Sequence, residues 1–151
     1  MKKHFLKTLL SAIMIVLLLS VISPAFAEDD PALAASFGEF DEESASITWN
    51  IAVNSFDKAE DRADFNNVTI KVTADPTLHE FPEDIRDCVS PISVTYTNNS
   101  ETRNIEFPSF ANRAAGKPYY SYDDSQHEIS IYLGDVSAEE AYLIHLDTEI
   151  V

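Results

Sequence analysis

The chain is 151 residues long and strongly acidic, with 26 Asp and Glu against 10 Lys and Arg and a net charge of −16. That sign repels nucleic acid and anionic lipid, so neither is an expected partner. Cys88 is the only cysteine, which excludes an internal disulfide; the domain must be held by an ordinary core, with Cys88 as a small buried hydrophobe.

The first 27 residues, MKKHFLKTLLSAIMIVLLLSVISPAFA, have the three parts of an export signal. Lys2, Lys3 and Lys7 form the positive end, Leu9 to Ile22 the apolar centre, and Ala25-Phe26-Ala27 a small-x-small cleavage site. The apolar run is shorter than the ~20 residues that span a bilayer, so cleavage before Glu28, not anchoring, is expected. The mature chain of 124 residues would carry seven cations against 26 acids, a net of −19, and would be secreted with no membrane insertion.

Residues 28–37, EDDPALAASF, are acidic and aperiodic and read as a tether before a domain over 38–151. Ser44 to Asn54, SASITWNIAVN, is the clearest alternating stretch. It puts Ile47, Trp49, Ile51 and Val53 on one side as core, and Thr48, Asn50, Ala52 and Asn54 on the other. Further strands are predicted over 67–74, 92–98, 102–107, 119–123, 127–133 and 141–150. In them Val68, Ile70 and Val72, then Ile92, Val94 and Tyr96, then Ile129, Ile131 and Leu133 recur with period two, as half-buried antiparallel strands require. Helical pattern is confined to a turn or so at 82–88 and 137–141, the latter with the Ser137 to Glu140 capping-box spacing. About seven short strands and one core predict an all-β, immunoglobulin-like, two-sheet antiparallel sandwich.

Catalytic motifs are missing from the sequence. His79, His127 and His145 have no G-x-S-x-G turn or catalytic-cysteine signature near them, so a non-enzyme is expected. Carboxylates cluster at 41–43, 57–64 and around Asp123, Asp124 and Glu128. Calcium is the one cation such loops could hold, but neither the calcium-hand spacing nor its glycine is present, and no cofactor is expected. Tyr119-Tyr120-Ser121-Tyr122 precedes Asp123 and Asp124. Strand alternation exposes at least one of these tyrosines, so Tyr120, Tyr122, Asp123 and Asp124 are the candidate ligand-binding residues.

Three segments carry a family resemblance: SASITWNIAVN, then NNVTIKVTADPTLHEFPEDI, then PISVTYTN. With the closing ISIYLGDVSAEEAYLIHLDTEIV, they resemble the immunoglobulin-like adhesin domains of Gram-positive surface proteins, of the collagen- and fibrinogen-binding type. Leu133 to Val136 and Tyr142, Ile144, Thr148 and Ile150 carry the closing match. The resemblance implies a secreted or surface-associated module that grips an extracellular matrix protein or cell-wall component without turnover. The alternative is a secreted calcium-responsive or inhibitor-like β-sandwich protein.

Many such relatives form an internal lysine–asparagine or lysine–aspartate amide assisted by a buried acid. Here SITWNIAVN has no lysine, Val72 stands where the assisting acid would be, the last strand offers Asp147 but no asparagine, and Lys71 points away from the face holding Ile70 and Val72. No isopeptide crosslink is therefore expected: the intact mass of the mature chain should equal the calculated value, and a deficit of about 17 to 18 Da would reveal the amide.

Overall fold

The computed structural model describes the backbone of residues 20–21, and residues 34–55 and 62–151. The expected export signal therefore lies outside the described residues except for Ser20 and Val21. Among the described residues ten strands form two sheets, and the pairings between them are antiparallel. Sheet I has the order β1 (Ser20–Val21), β4 (Phe65–Thr73), β9 (Glu128–Val136), β8 (Tyr119–Asp123). Sheet II has the order β2 (Ala34–Asp41), β3 (Ser46–Val53), β10 (Glu140–Ile150), β6 (Ile92–Asn98), β7 (Glu101–Phe107), and β5 (His79–Glu80) pairs with the last residues of β10. A short helix, α1 (Glu83–Arg86), and a 3-10 turn at Phe110–Asn112 are the other regular elements described.

The period-two apolar sets meet between the sheets. Sheet I contributes Val68, Ile70, Val72, Ile129, Ile131, Leu133 and Tyr120; sheet II contributes Trp49, Ile51, Val53, Val94, Tyr96, Phe107, Tyr142, Ile144 and Leu146. All are buried, and Ile47 packs partly buried at the margin. The largest ring, Trp49, lies over Gly38 of the neighbouring strand, where an added Cβ would sit 3.0 Å from Trp49 Cζ3. Its Nε1–H donates to Thr148 Oγ1 at 3.0 Å, which supplies the partner a buried indole needs.

Residues 34–37, read from sequence as tether, form the first half of β2 and pair with Asn50 to Val53. Ala34, Ala35 and Ser36 are small, and with Phe37 they carry no apolar alternation that would mark a strand in the sequence. The two-residue β5 was also not foreseen; it is too short to show a period. LGDV at 133–136 has a backbone role: the β4–β9 register shifts beside Val68↔Gly134, Gly134 adopts φ 75°, and Asp135 Oδ1 accepts the Asn67 N–H at 2.9 Å.

Asn54, at the end of the stretch that defines β3, is fully buried with φ 51°, a left-handed conformation that asparagine tolerates better than most residues. Its Nδ2 lies 3.2, 3.0 and 2.9 Å from the carbonyls of Ala63, Ser137 and Glu140, and its Oδ1 accepts the Ala63 N–H. One side chain thus ties the β3–β4 connection to the β9–β10 turn at one end of the sandwich. Glu140 locks the same end by accepting from the Ser137 N–H and the Tyr96 hydroxyl.

At the opposite end His79 is 7 % exposed, packs against Trp49 with ring centroids 6.2 Å apart, and has no hydrogen-bond partner for Nδ1. Burial holds its pKa below the usual 6.5, opposed by the nearby Asp75 carboxylate.

Two outcomes follow from these ends. Asn54→Ala should cost about 3 kcal/mol, since it strands buried carbonyls and puts alanine at positive φ; Asn54→Gly relieves the backbone but not the carbonyls and should recover only part of that in urea unfolding. For His79, the folded state favours the neutral ring, so its contribution is fully present above the unfolded pKa near 6.5 and is lost as pH falls below it. The melting temperature of the native chain should therefore drop relative to His79→Leu between pH 7 and pH 5; parallel curves would show that His79 is not the sensor.

Candidate recognition surfaces

The tyrosine-bearing strand predicted to hold ligand is β8, and its alternation turns out to favour the core. Tyr120 is fully buried; its hydroxyl donates to the Ser90 carbonyl at 2.6 Å, and burial pushes its pKa up to about 12. Tyr122 points the same way, packing edge-on against Phe81 with centroids 6.1 Å apart, and its pKa too is raised, chiefly by burial. Asp123 folds back on its own turn, where Oδ1 accepts both the N–H and the hydroxyl of Ser125, which lowers its pKa. Asp124 is exposed. The four residues therefore do not converge: the two rings face the interior while Asp123 shapes a turn. The outward residue of this strand is Tyr119, whose ring stacks on Tyr132 of β9 with centroids 4.7 Å apart.

The acidic loops behave alike. Asp41 accepts from the Glu43 N–H and the Ser44 hydroxyl, and Asp75 from the Thr77 N–H and hydroxyl. Both carboxyls are held below their usual range, first by the hydroxyl and then by the backbone donor. These are Asx turns, the local bonding that suits aspartate to loops. Among the described residues no group of three or more His, Cys, Asp or Glu side chains is placed to hold a metal ion. Most of the cluster at 57–64 lies outside the described residues, but Asp64 Oδ1 accepts the Ala138 N–H at 2.7 Å.

The positions tied to crosslinking in the resembling family are occupied differently here. Val72 is buried between the sheets, Thr148 faces Trp49, and Asp147 accepts from Thr48 Oγ1 at 2.6 Å across the β3–β10 pair. Lys71 Nζ lies 2.7 Å from Glu128 Oε1, and that contact raises its pKa.

The outer face of sheet II is ordered in a way the sequence did not reveal. The pairing Phe37↔Asn50↔His145↔Ser93↔Glu106 sets one row across all five strands, and Leu143↔Thr95↔Asn104 continues the next. Asn50 Oδ1 is 2.7 Å from His145 Nδ1, and His145 Nε2 is 3.0 Å from Thr95 Oγ1. Thr95 reaches Asn104 Oδ1 at 3.4 Å, so a hydrogen-bonded chain runs across four strands. Although it lies on the outer face, Asn50 is only 6 % exposed, while Phe37 beside it is 52 % exposed. Period-two alternation marks Asn50 and His145 as outward, but only strand order brings residues 95 positions apart into contact.

No protein-family model matches the chain, nor does any curated protein sequence. Among solved structures, it is similar to ACE19, the collagen-binding subdomain of the Enterococcus faecalis surface protein ACE, with a TM-score of 0.58 and 14% identity over 82% of this chain and 76% of that one. It is also similar to the collagen-binding domain of a Staphylococcus aureus adhesin, with a TM-score of 0.54 and 13% identity over 80% and 75% of the two chains. The chain thus has the immunoglobulin-like sandwich fold of the collagen-binding domains of Gram-positive adhesins.

Proposed function

We propose that this protein is a secreted, non-enzymatic adhesion module that grips an extracellular protein through the outer face of sheet II. A fibrous matrix protein of the collagen type is the first candidate ligand. The observation that carries the reading is the hydrogen-bonded chain Asn50–His145–Thr95–Asn104 beside the exposed Phe37. Side chains on a solvated sheet face usually lose rotamer freedom when they bind, at a cost of about 0.5–1.5 kcal/mol each. Here the cross-strand bonds fix them beforehand, and a rigid ring adds apolar contact area to a flat polar surface. The two neighbours in fold are both named for collagen binding, which supports the class of ligand.

Two of the described histidines, His79 and His145, also fit binding better than turnover. His79 is enclosed in the core, and His145 is held between an amide and a hydroxyl with neither serine nor cysteine among those partners.

Surface plasmon resonance of the exported protein over immobilised collagen, fibronectin, laminin and peptidoglycan, with and without calcium, tests this. The expected outcome is saturable binding to a matrix protein, weakened at least fivefold by Phe37→Ser and by Asn104→Ala, with melting temperatures preserved. Failure to saturate on any of these surfaces, or equal binding by both variants, would overturn the assignment.

A further inference from the structure

The opposite side of the sandwich carries a second surface of different chemistry. Phe107 to Tyr122 contains no Asp or Glu in a chain that is otherwise dense with them, while Arg113 and Lys117 both fall inside it. The loop after β7 folds back on β8, where the Tyr120 N–H donates to the Pro108 carbonyl at 2.9 Å and Ser109 bridges to Tyr120. That return places Phe110, 50 % exposed, against the outward ring of Tyr119, with centroids 5.7 Å apart, and Tyr119 stacks in turn on Tyr132.

Arg113 completes the cluster. Its guanidinium carbon lies 3.6 Å from the centre of the Phe110 ring and 5.5 Å from that of Tyr119, and Nη1 donates to the Phe110 carbonyl at 2.6 Å. These contacts hold an exposed guanidinium over the ring and use one of its nitrogens, and among the described residues the Nε and Nη2 edge takes no hydrogen-bond partner. Two coplanar donors held in one orientation match a carboxylate bidentately, with less rotamer entropy to lose than a free arginine would have.

We propose that the Arg113–Phe110–Tyr119–Tyr132 surface is a docking site for a peptide segment of a partner protein, in which one Asp or Glu carboxylate is flanked by apolar residues. Charge complementarity selects the carboxylate: Arg113 and Lys117 lie in a segment without acids in an acidic molecule. A peptide fits better than an acidic polysaccharide for two reasons. The rings pack on one another and under the guanidinium, so they offer edges and hydroxyls more than open faces for a pyranose. A polyanion would also be repelled by the mature net charge of −19, whereas a lone carboxylate is screened beyond about 8 Å at physiological salt. Exposed Phe and Arg beside half-buried Tyr are also the residue types that anchor protein interfaces. The site lies on sheet I and its adjoining loop, independent of the face of sheet II.

Panning a phage-displayed library of random dodecapeptides on the exported protein tests the assignment, with a galacturonate oligomer as a separate ligand. The selected peptides are expected to share one Asp or Glu beside apolar residues. A synthetic peptide from the pool should bind at least tenfold more weakly to Arg113→Lys, which keeps the charge but not the planar fork, and to Tyr132→Ser. Phe37→Ser on the other sheet should leave its binding unchanged. Selection without an acidic consensus, equal binding by Arg113→Lys and Tyr132→Ser, or binding of the galacturonate oligomer at the Arg113 cluster in place of peptide would each overturn it.

Discussion

The placement of one indole governs much of this sandwich. Trp49 packs closely on the neighbouring strand where residue 38 is glycine, since an added Cβ there would come within 3.0 Å of the ring, and Thr148 of β10 accepts its indole N–H. Its far contact, His79, belongs to the short strand that pairs with the end of β10. A single ring on β3 thus ties together the edge strand β2, the central strand β10 and the short strand β5 of sheet II. The register that brings Trp49 opposite Leu146 also brings Ile51 opposite Ile144 and Val53 opposite Tyr142, so the inner face of the sheet closes as a unit. A one-residue slip would exchange that face for the polar one.

The high negative charge has a more local explanation than a cation site. Asp41, Asp75 and Asp123 each close a turn, Asp135 fills the bulge between β4 and β9, and Asp64 and Glu140 pin the loops around Asn54. Acidic side chains accept backbone N–H groups that loops otherwise leave unpaired, and a fold with long strands and short connections has many of these. These six carboxylates serve the backbone, and the outer sides of the two sheets are where the proposed recognition surfaces lie. Those sides differ: sheet II shows a fixed polar chain beside a phenylalanine, and sheet I an arginine seated on aromatic rings.

How far the site was legible follows from the same geometry. Tyr120 and Tyr122 attracted notice because tyrosines beside acids are typical of binding surfaces, yet period two required one pair of neighbours to face inward and could not say which. The choice fell to Ile129 and Ile131 on the neighbouring strand, which face the core and are paired in register with Tyr122 and Tyr120. Arg113 and Phe110 sit in a loop without periodicity, and nothing local to them signals that the chain doubles back onto β8.

The sequence by itself determined the class of fold, the alternating strands and the inward set Ile47, Trp49, Ile51 and Val53, because alternation is a property of each strand alone. It also contained the turn chemistry, since an aspartate two residues before a serine or threonine bonds within its own loop. Tertiary structure alone decided that residues 34–37 are strand, that Asn54 ties the β3–β4 connection to the β9–β10 turn, and that Asn50, His145, Thr95 and Asn104 form one chain. Those contacts join residues far apart in sequence, and they arise only when strand order and register place distant segments side by side.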